Sequence, residues 1–273
     1  MIDQVADIIR EVAAEIVVPR FRDLDDQDVS SKAAGELVTK ADVEAEEALT
    51  ARLEALAPGV PVIGEEAVAA GRSSLETLSE ESQAWLVDPV DGTANFVSGS
   101  GDYAVMVARV SRGETVASWI WQPTEGCMYI AEEGGGAYLN GERISRPPPP
   151  SDGSDLRGAA LTRLMDAPMA AIIAANSHRL GAVLPGRMCA GVDYPLLAMG
   201  EQEFLVFWRT LPWDHAPGVL LVEETGGVCR RFDGAEYRPA DTSKGLLVAA
   251  DERTWETVRE LLLEGVRELV HPD

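Results

Sequence analysis

The stretch WLVDPVDGTANF, from Trp85 to Phe96, is the tightest constraint on what this chain can fold into. An apolar run that reads as a buried strand ends in two aspartates, Asp88 and Asp91, with Pro89 and Val90 between them. Carboxylates this close repel each other and resist desolvation, so positive charge is expected between them. Pro89 fixes the backbone torsion and removes one N–H, which turns the chain rigidly and brings Asp91 back beside Asp88. The carbonyl of Val90 is free to point the same way. Gly92 permits a tight turn, and Thr93 to Phe96 starts a helix. Three oxygen donors then face an exposed helix N-terminus: a seat for a hard divalent cation beside a phosphate group. On this stretch alone, a β-turn with two solvated aspartates and a threonine cap stays open as the alternative.

Other acidic positions carry the same ambiguity. Glu65 and Glu66 follow a strand-like VPVI, Asp214 in LPWDHAPG opens an apolar helix, and Asp42 in ELVTKAD opens another. Singly, they read as a surface pair and two helix caps. The whole chain has 46 Asp and Glu against 23 Lys and Arg, a formal charge of −23. Such a surface repels nucleic acid and anionic membranes, which excludes both as nonspecific partners. It also repels a small anionic substrate unless cations reverse the local field. Cys127, Cys189 and Cys229 show no paired spacing and read as small buried hydrophobes in a reducing compartment, the cytoplasm. MIDQVADIIR lacks the apolar segment of a signal peptide, and no apolar run approaches a membrane span. The acidic run DLDDQD, from Asp23 to Asp28, lacks the glycine and later glutamate of a calcium loop and reads as a solvated loop.

With 273 residues the chain suits one large domain or two tightly packed halves. Ile2, Val5, Ile9, Val12 and Ile16 predict an amphipathic helix that stops near Pro19. A second helix runs from Asp42 to Leu56 with Ala45, Leu49, Leu53 and Leu56 on one face, capped by Thr39 or Asp42. VPVIGEE reads as a short strand running into a loop. From Tyr103 to Ile144 several β segments follow, with Asn140-Gly141 as a hairpin turn. The proline run from Arg146 to Pro150 reads as a stiff spacer, dividing the chain into residues 1–146 and 151–273. The second part alternates: strands at LRGAALT, EFLVFW, Val228 and GLLVAA, and helices at PMAAIIAA, VDYPLLAMG, after WDHAPG and from Asp251. The last helix turns Trp255, Val258, Leu262 and Val266 to its apolar side. The pattern predicts layers of helices and sheets, α+β in the first part and α/β in the second.

In DPVDGTANF, with GEE upstream and PWDHAPGVLLVEETGG downstream, the chain resembles the inositol monophosphatase family. That family belongs to the superfamily of magnesium-dependent, lithium-sensitive phosphatases that includes fructose-1,6-bisphosphatase. KAAGELVTKAD resembles a third family segment, and the likeness runs from Lys32 to Gly227. The resemblance implies an αβαβα sandwich of the sugar-phosphatase type, a homodimer, two to three Mg²⁺ ions, and hydrolysis of a small sugar or polyol phosphate by metal-activated water. It implies that Glu65, Asp88 and the Val90 carbonyl hold one magnesium and that Asp88, Asp91 and Asp214 hold a second. A third, weaker ion would lie near Glu65, with Asp42 acting through water. Asp42 and Thr93 would position and deprotonate the attacking water. Asp91, Gly92, Thr93, Ala190 and Asp214 would contact substrate, with Gly92 and Thr93 offering backbone N–H groups to the phosphate. Glu66 would orient a ligand or a coordinated water.

Paired cations clamping an in-line displacement need no nucleophilic side chain. Accordingly, His178, His215 and His271 form no triad-like pattern; His271 reads as part of a frayed tail, and His215 as a residue of the helix surface or one supporting the site. Pro217 replaces a usual alanine, which the first turn of a helix tolerates. Phe207 stands where inositol-phosphate enzymes of the family carry a glutamate that contacts sugar hydroxyls. That argues against inositol 1-phosphate, and Phe207, Trp208 and Arg209 suit a flatter or more anionic leaving group, as in histidinol phosphate or 3′-phosphoadenosine 5′-phosphate. The alternative for Phe207 and Trp208 is strand alternation, one ring in the core and one at a subunit contact. A non-catalytic interaction protein on the same scaffold and a plain metal-binding protein are the readings from other classes.

Overall fold

The computed structural model describes residues 1–33, 36–80 and 83–266. Helix α1 (Ile2–Val12) buries Val5, Ile9 and Val12, and a π-helical turn, Ala13–Val17, follows it. The wider i→i+5 turn advances the buried face by one residue, so Val17 is buried while the expected Ile16 is half-buried. Strands β1 (Val29–Ala33) and β2 (Glu36–Thr39) pair as an antiparallel hairpin that the sequence reading lacked. Thr39 caps α2 (Lys40–Leu56): its hydroxyl accepts from the Ala41 and Asp42 N–H groups, and the Asp42 carboxylate accepts the Thr39 N–H at 2.8 Å. Ala45, Leu49 and Leu53 are buried as expected.

Strand β3 (Val62–Gly64) runs into a short helix, α3 (Glu65–Ala69), where the sequence suggested a loop. Helix α4 (Glu76–Glu80) precedes β4 (Gln83–Asp91), and α5 (Thr93–Ser98) follows it. A meander comes next: β5 (Ala104–Ser111), β6 (Glu114–Gln122), β7 (Cys127–Glu132), β8 (Gly136–Leu139) and β9 (Glu142–Arg143). Asn140 and Gly141 take φ of 49° and 85°, the left-handed pair that the Asn-Gly turn predicts. After the proline run come β10 (Arg157–Ala160), α6 (Ala167–Asn176), β11 (Ala182–Leu184), α7 (Ala190–Ala198), β12 (Phe204–Phe207), α8 (Pro212–Glu223), β13 (Val228–Arg231), β14 (Leu246–Ala249) and α9 (Glu252–Leu262). The short β11 was not foreseen. Val266 is buried as expected but lies past the end of α9. His271 lies outside the described residues.

Among the described residues, β3 to β9 form a seven-stranded sheet in sequence order, antiparallel except at β3–β4. The five-stranded sheet has the order β11-β10-β12-β14-β13, with β10 parallel to both its neighbours. Strand alternation sorts the core into layers. Trp85, Val87 and Trp119 face α1 and α2; Leu86 and Met106 face α7 and α8. On β12, Leu205 and Phe207 face the same two helices from the other side, while Phe204 and Val206 face α6 and α9. The result is a layered αβαβα sandwich with α7 and α8 between the sheets.

That middle layer carries two close approaches. A Cβ on Gly218 would lie 2.1 Å from the Tyr194 ring, so glycine alone lets α8 close on α7. Pro195, inside α7, cannot donate to the Gly191 carbonyl four residues back; Gln122 of β6 donates to it instead, at 2.8 Å. Pro217 sits in the body of α8, its sixth residue, and not in the first turn as the sequence reading assumed. Gly218→Ala should force α7 and α8 apart and cost about 1–3 kcal/mol. Urea denaturation checks this, and a cost near zero would show that the two helices pack more loosely than described.

Candidate active site

Strand β4 does not end at Asp88; it continues to Asp91 through an irregularity. Asp88 pairs with Met106 and Asp91 with Ala104, so three steps on β4 oppose two on β5. Residues three apart on a regular strand face opposite sides. The extra residue, at a point where Pro89 has no N–H to offer the ladder, turns both carboxylates toward α7 and α8. The Val90 N–H donates to Asp88 Oδ1 at 3.1 Å and fixes the bulge.

Three elements bring acids to this point. Asp88 comes from β4, Glu65 from the start of α3, and Asp214 from the first turn of α8. Each offers a carboxylate oxygen, and the three atoms lie within 4.8 Å of one another. Burial, followed by the charges of Glu65 and Asp91, pushes the Asp214 carboxyl well above the ordinary range. Asp91 stands beside this group. Burial raises it to about 6, while the Gly191 N–H at 2.5 Å and the Cys189 thiol at 3.0 Å hold it back. An all-oxygen set in which the Asp91 and Asp214 carboxyls are raised matches the chemistry of a hard divalent cation, which would restore their charged forms.

Glu65 is aimed by a residue that the sequence reading missed. Glu46 of α2, 3% exposed, accepts the Glu66 N–H at 2.6 Å and the Ala67 N–H at 2.7 Å. It thus satisfies the open end of α3 from outside. Gly64 makes room, since a Cβ there would lie 2.3 Å from the Glu46 carboxyl carbon. One signal was available: Glu46 lies four residues after Asp42, next to the apolar face of α2. Glu66 is itself buried.

Asp42 is fully buried; it accepts the Thr39 hydroxyl at 2.5 Å and meets the Thr93 hydroxyl at 3.1 Å. The Thr93 hydroxyl has a second acceptor in reach, the Val90 carbonyl at 3.0 Å. Gly92 takes φ of 82°, and a Cβ there would meet the Asp102 carbonyl at 2.8 Å. A cleft of about 170 Å³ is lined by Glu65, Asp88, Val90, Asp91, Gly92, Thr93, Ala190 and Asp214, so the predicted site residues border it except Glu66 and Asp42, the latter reaching it through Thr93. Arg209 is the one Lys or Arg among its described lining residues.

His215 is buried rather than on a helix surface. Its Nδ1 pairs with the Tyr194 hydroxyl at 2.8 Å and its Nε2 with the Arg209 carbonyl at 3.0 Å, and burial lowers its pKa to about 3. His178 is exposed on the far side of the second sheet, bonded to the Ala175 carbonyl. Phe207 is buried between Tyr194, stacked at 5.2 Å, and His215, edge-on at 4.7 Å; Trp208 stacks on Phe232 across the sheet. A larger cavity of about 650 Å³ lies beyond Trp208, but its Arg231 is committed to Thr210, Ser243 and Asp241.

Residues 2–271 match the model of the inositol monophosphatase family. An inositol-1-monophosphatase from Mesorhizobium japonicum is 31% identical over 268 residues, covering 90% of this chain and 89% of the relative. A Nus factor SuhB from Vibrio cholerae is 28% identical, covering 86% of each chain. The solved inositol monophosphatase of Thermotoga maritima superposes with a TM-score of 0.76 at 25% identity, over 94% of this chain and 96% of that one.

The raised Asp91 carboxyl has a consequence for stability. From its ordinary 3.8 to about 6, the folded protein holds a proton that the unfolded chain has released. Cation-free protein should therefore lose stability as pH rises through that window, and Asp91→Asn should remove this part of the loss. Thermal melts in EDTA from pH 4 to pH 7 test it; parallel curves for the two proteins would contradict the assignment.

Proposed function

Since this chain belongs to the inositol monophosphatase family and is a phosphoric monoester hydrolase, we propose that it is a magnesium-dependent enzyme in which water attacks the phosphoryl group of a small phosphorylated metabolite directly. The observation that carries this reading is the convergence of Glu65, Asp88 and Asp214 at one end of a cleft that Asp91 and Thr93 also border. In this reading Glu65, Asp88 and the Val90 carbonyl hold one magnesium, and Asp88, Asp91 and Asp214 hold a second, with a weaker third near Glu65 and Asp42. Bound magnesium supplies Lewis acidity toward the phosphoryl oxygens and makes a nearby water more acidic.

The protein's own groups supply orientation. The Thr39 N–H and hydroxyl hold the Asp42 carboxylate in place. When the Thr93 hydroxyl donates to Asp42, its lone pairs face the cleft and accept a proton from water, while its own proton moves toward Asp42. The backbone of Gly92 and Thr93, with Ala190 at the start of α7, flanks the phosphate position. His215 has both ring nitrogens engaged and stays out of the proton path.

We place the enzyme in the cytoplasm, in keeping with Cys127, Cys189 and Cys229 as free thiols, and as a homodimer by family resemblance. No helix among the described residues is long and apolar enough to cross a membrane. A non-catalytic interaction protein is the competing reading, and a relative that is a Nus factor favours it. It leaves the convergent carboxylates and the Asp42–Thr93 pair without a purpose.

Phosphate release measured with Mg²⁺ and with EDTA separates the two. Release should require Mg²⁺, Asp88→Asn should slow it at least about 10²-fold, and Thr93→Ala should lower kcat by about 10²–10⁴-fold with little change in Mg²⁺ affinity. Mg²⁺ binding with no turnover of any phosphomonoester would instead favour the interaction protein.

A further inference from the structure

We propose that the leaving-group half of the cleft takes an alcohol that carries a flat, largely apolar ring, and discriminates against polyols. This rests on the hydrolase reading above and narrows its substrate.

The cleft's lining is of two kinds. Glu65, Asp88, Asp91, Asp214 and Thr93 are one. Leu37, Leu161, Leu164, Met188, Phe207 and Trp208 are the other. The remaining side chains with nitrogen or oxygen atoms are Arg209 and His215. The ring nitrogens of His215 already pair with Tyr194 and the Arg209 carbonyl. Arg209 has only donors to offer, and it lies close enough to Asp214 for its charge to act there. A polyol hydroxyl brought against these side chains would lose its water and find no acceptor. A flat ring loses no hydrogen bond and gains contact with the Leu and Met side chains.

Two details mark the apolar part of this lining. Phe207 is locked by its stack on Tyr194 (interplanar angle 16°) and its edge contact with His215, so it forms a fixed floor. At the rim, Leu164 is 46% exposed; of the exposed large hydrophobics among the described residues, it is the one that borders the cleft. Met188, also at the rim, is held at φ of 59°, a conformation a non-glycine residue adopts at a cost. Together they leave apolar surface at the cleft that a bound ring would cover.

The test uses substrates with alcohol leaving groups of similar acidity: 2-phenylethyl phosphate, glycerol 1-phosphate and inositol 1-phosphate, with Mg²⁺ and intact protein. The ring-bearing ester should show kcat/KM at least about 10-fold above either polyol ester, carried mainly by KM, the scale on which an apolar pocket discriminates. Leu164→Asn should narrow that ratio by about 5-fold. Leu184→Asn, at an equally exposed leucine away from the cleft, should leave it unchanged. Equal or better turnover of a polyol ester overturns this inference and leaves the hydrolase reading standing. So does a Leu164→Asn variant with the wild-type ratio. No release from any of the three, with Mg²⁺ bound, overturns both.

Discussion

Glu65, Asp88 and Asp214 hold carboxylate oxygens within 4.8 Å of one another, with Asp91 alongside, and their mutual repulsion is the constraint that the surrounding structure answers. Nothing in a folded core favours that arrangement by itself. Three of the acids are held by backbone donors: Asp88 by the Val90 N–H, Asp91 by the Gly191 N–H, and Glu65 through Glu46 and the end of α3. A cation placed among them turns a destabilising cluster into a binding site.

The sandwich supplies the rigidity that this needs. The site lies where β4 meets the two helices between the sheets, and the sequence holds those helices at close range. Gly218 admits the Tyr194 ring, Tyr194 stacks on Phe207, and Gln122 replaces the hydrogen bond that Pro195 removes from α7. The Gly191 residue that Gln122 steadies is the one whose N–H reaches Asp91. Packing and the acidic site therefore share residues.

Much of this was legible in the sequence, for identifiable reasons. WLVDPVDGTANF announced a strand, a turn and paired acids because proline and glycine leave few backbone choices. Helices α1 and α2 and the Asn140-Gly141 hairpin followed from periodicity and turn chemistry. Glu65, Asp42 and Asp214 read singly as surface pair or caps, and only their resemblance to a family joined them, because assembly depends on contacts up to about 150 positions apart in the chain. The bulge that carries β4 on to Asp91 was invisible, since register is fixed by the partner strand. Glu46 was missed because its partners are backbone N–H groups, which carry no residue signature; its spacing from Asp42 on α2 was the one signal. The π-helical turn and the β1–β2 hairpin were missed because they depart from the periods that reveal ordinary elements.

The most direct test of the central claim is to locate the cation. Crystals soaked in Mn²⁺ as a stand-in for Mg²⁺ would reveal its position by anomalous scattering. The cation should lie within direct coordination distance, about 2.0–2.1 Å, of oxygens from Glu65, Asp88 and Asp214. No anomalous peak among these carboxylates at saturating Mn²⁺, or a cation held only elsewhere on this acidic surface, would contradict it.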